Sequence, residues 1–368
     1  MLIPPVSLPE ALSPLDINPL TRDHGATASS SLRSVIATFE TPLPARSIWQ
    51  LVSSIGLYLV AWAAMFELIH ISVPLALLLA IPTGALLVRI FILQHDCGHG
   101  SLFASRATNN VVGTICGLLT LTPYANWRRH HAGHHGAWNN LDRRHSGADI
   151  YSTCLTVKEY QALPWRERFV YRAMRHPLVA HVILPPLVFV LLYRVPFDTP
   201  KEWKRERRSV HVTNAILAGA VLGLGLLLGF WQVLVVQAFI IVVASIIGVW
   251  LFALQHRFDN SHWARQEMWS FSSASLDGSS CLKLPRVLQW FTGNIGFHHI
   301  HHLAPRVPNY RLQACYEAIP ALRTRTQLSL WAGLRSVWLS LWDEDADRMV
   351  GFSRRRTGGG RSGIEESA

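Results

Sequence analysis

A chain of 368 residues that is 50% hydrophobic and only 15% charged, with a mean hydropathy of +0.21, is too apolar for an ordinary soluble protein of this size. Its formal net charge of +11 suits anionic lipid headgroups or an acidic protein partner, and no nucleic-acid partner is expected. The five cysteines are scattered without CxxC spacing, which excludes a thioredoxin-type or zinc-ribbon site and leaves them as reduced packing residues.

In chain order, residues 1–45 hold several prolines and a serine-rich patch but no basic start followed by an apolar core. They read as a loose cytosolic arm rather than a secretory signal. Crossing a bilayer takes about 20 helical residues at about 1.5 Å each. Four apolar runs meet this length: 48–69, 72–93, 210–229 and 231–253. The run 111–122 is too short and reads as interfacial. The run 178–195 is borderline, and Pro185 and Pro186 at its centre lack the backbone donors that a straight helix needs. The segment KEWKRERR at 201–208 has five basic residues, while the turns near 70 and 230 have none. The positive-inside rule then puts that segment in the cytoplasm and the turns outside. Two hairpins follow, each entering and leaving on the cytoplasmic face, with 178–195 a re-entrant or in-plane pair and Asp198 cytoplasmic. Residues 326–352 are expected to be a helical segment, and 353–368, rich in glycine and charge, a disordered tail. The expected fold is an all-α integral membrane protein, its main domain spanning 46–325: four transmembrane helices in two hairpins, re-entrant or interfacial helices, and a cytoplasmic histidine-rich cap.

Three histidine clusters fall on that one face. His95 and His99 are four apart at the end of the second span. His131, His134 and His135 have the i, i+3, i+4 spacing of one helix face, and His298, His301 and His302 repeat it. Imidazolium groups packed this closely would repel unless a metal held them neutral. Imidazole suits zinc, copper, iron and nickel, so the donors alone do not name the metal. Eight exceed what one ion takes, and two ions is the simplest count.

With HxxxH, HxxHH and HxxHH in this order, with NLDRR after the second box and GNIGFHHIHHL and PNYRL around the third, the chain resembles the membrane fatty acid desaturases. It looks like the bacterial acyl-lipid type related to the delta-12 (omega-6) enzymes, and the likeness covers roughly residues 45–325. The resemblance implies a non-haem centre of two iron ions that uses O2 to leave a cis double bond in an acyl chain carried on a lipid or a thioester. It also implies His256, in the stretch QHRF, as a ninth ligand. No fused haem-binding motif is present, so an external donor, a ferredoxin or a cytochrome b5-like protein, is implied. Arg128, Arg129, Arg143, Arg144, Lys204, Arg205, Arg207 and Arg208 are candidates to dock it. The implied location is the bacterial inner membrane, with the boxes and both termini cytoplasmic.

Asp96, Asp142, Arg143 and Asp149 are candidates to orient the ligands. Gly98, Gly293 and Gly296 are expected to allow close approach. Trp127 and Trp290 are expected chiefly as interface anchors. His130, His262 and His299 fall off the ligand positions, and His145, His176, His181 and His211 read as surface or packing residues. Two other classes remain open: a sister hydroxylase or carotenoid oxygenating enzyme, and a membrane metal transporter or sensor, which would line a path across the bilayer with polar groups.

Overall fold

A computed structural model describes residues 32–144 and 153–352. The first 31 residues of the expected arm, His145, Asp149 and the tail 353–368 lie outside the described residues.

Among the described residues four helices are long and apolar enough to cross a membrane. Helices α1 (Pro44–Ile71) and α2 (Val73–His99) each carry proline in the first turn, where its missing N–H breaks no helical bond. A single extended residue, Ser72, separates them. After α3 (Arg106–Leu119) and α4 (Tyr124–His135) the chain forms the surface helix α5 (Trp165–Met174). There follow a π-helical turn at Val179–Ile183, α6 (Leu184–Val190) and a 3-10 turn at Leu192–Arg194. The second pair of long helices, α7 (Lys204–Leu228) and α8 (Phe230–His256), is joined by Gly229 alone. That residue has φ 94°, a backbone conformation open to glycine.

The long helices outrun their apolar stretches at one end. Helix α2 continues from residue 93 to His99, and α8 from 253 to His256. Histidines at those positions therefore ride on the last turns of membrane-length rods. Helix α2 is central, packed between α1 and α8 through Leu86, Ile90, Leu93, Ile240, Leu251 and Leu254, while Leu78, Leu227 and Trp231 point outward. The segment around α6 is not straight: α5 and the 179–194 stretch meet at 52°. Pro185 and Pro186 supply no N–H to the carbonyls one turn earlier, and the ladder widens into the π turn there. By length and composition this bent pair is either a broken fifth span or a re-entrant element.

Short helices α9 (Phe271–Asp277), α10 (Arg286–Phe291), α11 (His298–Leu303) and α12 (Asn309–Ala318) follow α8. Among the described residues there are also five strands of two or three residues. Strands β1 (Leu155–Thr156), β4 (Leu341–Asp343) and β5 (Arg348–Val350) form one sheet, with β1 parallel and β5 antiparallel to β4. Strands β2 (Cys281–Leu282) and β3 (Gln327–Leu328) pair in parallel. Residues 326–352, expected to be helical, thus hold only one short helix, Leu330–Ser336, among three strands. Trp342 and Met349 bury themselves against Leu141, Cys154 and Trp263, so this end is held by packing beside the second histidine box rather than by helical periodicity. All five cysteines are buried and free.

Candidate metal centre

Four helices deliver nine histidines to one place. His95 and His99 come from the end of α2, and His131, His134 and His135 from α4. His256 ends α8, and His298, His301 and His302 lie on α11. A six-residue helix such as α11 would not hold alone. Here Ile300 and Leu312 are fully buried beneath it, and Gly296 lets the preceding loop close against the Leu282 carbonyl.

The rings sort into two groups. In the first, ligand atoms of His95, His99, His131, His135 and His301 all lie within 4.8 Å of one another, as do those of His134, His256 and His302 in the second. His298 joins the second group, its Nε2 lying 3.1 Å from that of His256 and 3.0 Å from that of His302. Other Nε2 pairs are as close: His131 and His99 at 2.9 Å, His301 and His135 at 3.1 Å, His134 and His256 at 3.1 Å. Two nitrogens at about 2.1 Å from one ion stand about 3.0 Å apart at a right angle and about 3.4 Å apart at the tetrahedral angle. Spacings of 2.9–3.1 Å are short enough for neighbouring imidazoles to share one ion. The groups adjoin: the rings of His135 and His302, one from each, stack with centroids 4.2 Å apart.

Burial, and then the neighbouring imidazoles, push His131, His135, His298, His301 and His302 well below the usual imidazole range. Neutral rings are the form that coordinates a cation. His299, which shares α11, differs: its Nε2 lies 3.1 Å from the Leu322 carbonyl, and burial lowers it to about 4.

The polar residues around the groups act mainly as braces. Asp96 is buried and accepts two 2.8 Å bonds from the backbone N–H and Nδ2 of Asn309. Asn309 in turn exchanges two 3.0 Å bonds with Gln50. One carboxylate thus ties the first box on α2 to the segment after the third box and to α1, while the His95 Nδ1 stands 3.7 Å away. Asp142 accepts from Arg265 and from the Gln266 backbone, both at 2.8 Å. Arg144 makes a fork to Glu159 at 2.6 and 2.8 Å and is buried, so it is not a free docking residue. Arg207 is likewise engaged, donating to the carbonyls of Pro196 and Thr199.

Trp127, expected as an interface anchor, is buried and stacks on His131 at 4.8 Å and 12°. Gly98 makes room for it: a Cβ there would stand 2.9 Å from the indole. Trp290 is half-exposed and lies beneath the buried guanidinium of Arg89, 4.1 Å from its ring centre. Sequence reasoning passed over Trp138, whose ring lies 4.3 Å from His302, and Asn139, whose Nδ2 bonds Ser261, His262 and Gly278. It also passed over Asn309. The signal was within reach, since Trp138 and Asn139 stand between the second box and NLDRR, and Asn309 in PNYRL.

Beside the histidines lies a cavity of about 300 Å³, lined mostly by apolar side chains of α2, α6 and α8. His95, His131, His134 and His298 reach its wall, and Val195, Phe197, Asp198 and His130 also line it. The histidines sit at helix ends and on short helices and do not line a path along the spans.

Residues 71–333 match the profile of the family described as fatty acid desaturase. A fatty acid desaturase of Bacillus subtilis is 36% identical over 90% of this chain and 93% of its own. An sn-1 acyl-lipid omega-3 desaturase (ferredoxin) of Synechocystis is 28% identical over 64% of this chain and 65% of its own. An sn-1 oleoyl-lipid 12-desaturase of Picosynechococcus is 27% identical over 64% and 67%. Membrane-length helices, paired histidine groups and an adjoining apolar cavity agree with these likenesses, and the chain belongs to the fatty acid desaturase family, a group of oxidoreductases.

Proposed function

We propose that the protein introduces a cis double bond into a lipid-linked acyl chain, with the regiochemistry of the delta-12 (omega-6) type, at a centre of two iron ions. The supporting observation is the sorting of nine imidazoles into two adjoining groups with Nε2 spacings of 2.9–3.1 Å, beside an apolar cavity. His95, His99, His131, His135 and His301 would hold one ion, and His134, His256, His298 and His302 the other. Iron supplies, when bound, an oxidant derived from O2 strong enough to remove hydrogen from an unactivated methylene.

The rest belongs to the chain's own residues. The cavity binds the acyl chain by excluding water from its length and lays it past His95, His131, His134 and His298. Trp127 fixes the plane of His131 and closes the cavity wall beside it. Trp138 packs against His302. The overall reaction balances as one CH2–CH2 unit, O2, two electrons and two protons giving one CH=CH unit and two waters. The two electrons come from an external one-electron donor, a ferredoxin or cytochrome b5-like protein, as the ferredoxin named for the Synechocystis relative suggests. Both hairpins enter and leave on the cytoplasmic face of a bacterial inner membrane in this reading, with the boxes and the termini on that face, and the basic segment at 201–208 supports that orientation.

The test is the fatty acid profile of a bacterial host expressing the protein with a ferredoxin and its reductase, beside a His298→Ala control. A new cis double bond at one fixed position, absent in the control, is expected. Hydroxylated chains in place of unsaturated ones would assign a sister activity instead, and an unchanged profile from iron-loaded protein supplied with donor would refute the reading.

A further inference from the structure

The cavity ends where α2 and α8 cross. A Cβ on Gly84 would come within 2.7 Å of the Val243 side chain and 3.1 Å of the Ala244 nitrogen, so the two helices touch there. Leu87, Ile241 and Ala244 close the cavity against that crossing. At its other end the His134 ring lies 5.2 Å from Phe252, which marks the histidine level on α8. Gly248 lies between, about 6 Å along the helix from Phe252 and about 6 Å short of Ala244 at about 1.5 Å per residue.

Gly248 lines the cavity, yet a Cβ built on it would meet no atom within 4 Å. This sets it apart from Gly84 and Gly98, where a packed neighbour excludes any side chain. Helix packing does not require glycine at 248, and the space left by the missing side chain belongs to the cavity. Ser245, one turn nearer the crossing, turns its hydroxyl to the Val242 carbonyl at 3.1 Å, so this part of the wall offers a ligand no free donor.

We propose that Gly248 is a specificity-determining residue. Its missing side chain admits the methyl-terminal part of an acyl chain beyond the histidines, so the size of residue 248 sets the longest chain accepted and thereby the carbon pair presented. The proposal rests on the reading of the cavity as an acyl site.

The experiment compares the parent protein with Gly248→Ala, Gly248→Val and Gly248→Leu, each assayed for bound iron. Distearoyl and dimyristoyl phosphatidylglycerol compete for the protein, first in displacing a fluorescent fatty acid and then as sources of unsaturated product. The stearoyl-to-myristoyl ratio is expected to fall stepwise in both readouts, by roughly tenfold at leucine, the scale on which a misplaced methylene group is rejected. Ratios unchanged across the series would overturn the proposal. So would an equal loss for both lipids, which would mark residue 248 as a packing position. If leucine prevents folding, the alanine and valine variants decide, since the first methyl group enters open space. If the parent protein yields no unsaturated product but the displacement ratios still shift, the desaturase reading fails and the length limit stands.

Discussion

Replacing Asn309 by alanine would expose how the first and third histidine boxes are held together. Asn309 is fully buried, and its side chain makes three bonds: one at 2.8 Å to the Asp96 carboxylate and two at 3.0 Å with Gln50. Loss of the charge-assisted bond costs about 2 kcal/mol, because the carboxylate has no water to turn to. The Gln50 bonds add about 1 kcal/mol between them, since that side chain is partly exposed and can rehydrate. A loss of about 3 kcal/mol is therefore expected for Asn309→Ala, against about 1 kcal/mol for Gln50→Ala. Unfolding in mixed detergent micelles, followed by tryptophan fluorescence, gives these values, and a cycle with Asp96→Ala isolates the pair. Coupling of at least about 1 kcal/mol is expected between Asp96 and Asn309. Bound iron should fall together with stability, because the brace fixes α11 relative to α2. Additive losses, with coupling below about 0.5 kcal/mol, would refute the reasoning.

Three further outcomes follow from the same geometry. His256→Ala removes a donor from one group only and should lower bound iron to about half, whereas His299→Ala, whose ring faces the Leu322 carbonyl, should keep it; equal iron in the two variants would sink the assignment. The histidines outside the spans bind fewer protons in the folded than in the unfolded state, because their folded pKa values are lowered. Their contribution is whole above the unfolded value of about 6.5 and is lost as the pH falls below it, so metal-free protein should unfold more readily at about pH 5 than at about pH 7.5. A flat stability profile over that range would contradict it. Trp127→Leu should cost about 2 kcal/mol through the gap left beside Gly98, and should weaken binding of a fluorescent fatty acid more than Trp127→Phe does. Equal binding by both variants would show that the indole does not shape the cavity.

Much of the site was legible because coordination chemistry constrains spacing as strongly as a fold does. Ligands on one helix face must recur at three or four residues, and His131, His134 and His135 keep this rhythm through a segment of mixed polarity. The four long helices announced themselves by length and hydropathy alone. The braces were not legible, since Asp96 and Asn309 are 213 residues apart and either reads alone as a solvated polar group. Trp127 was misjudged for a related reason: a tryptophan near a membrane helix end is usually an anchor, and only the position of Gly98 shows that the indole turns inward. The strands near the C-terminus are two or three residues long, too short for alternation to register, and β4 finds its partner β1 far back in the chain.

The order in which the histidines leave the ribosome gives the centre a second significance. His95 emerges early, tethered to a helix that can enter the bilayer at once, whereas His301, its neighbour in the same group, is made only after both hairpins are complete. Contacts closed across so long a stretch form late in folding. Until α11 is made, neither histidine group has its full set of imidazoles, so the candidate metal centre can be completed only after both hairpins have been synthesised.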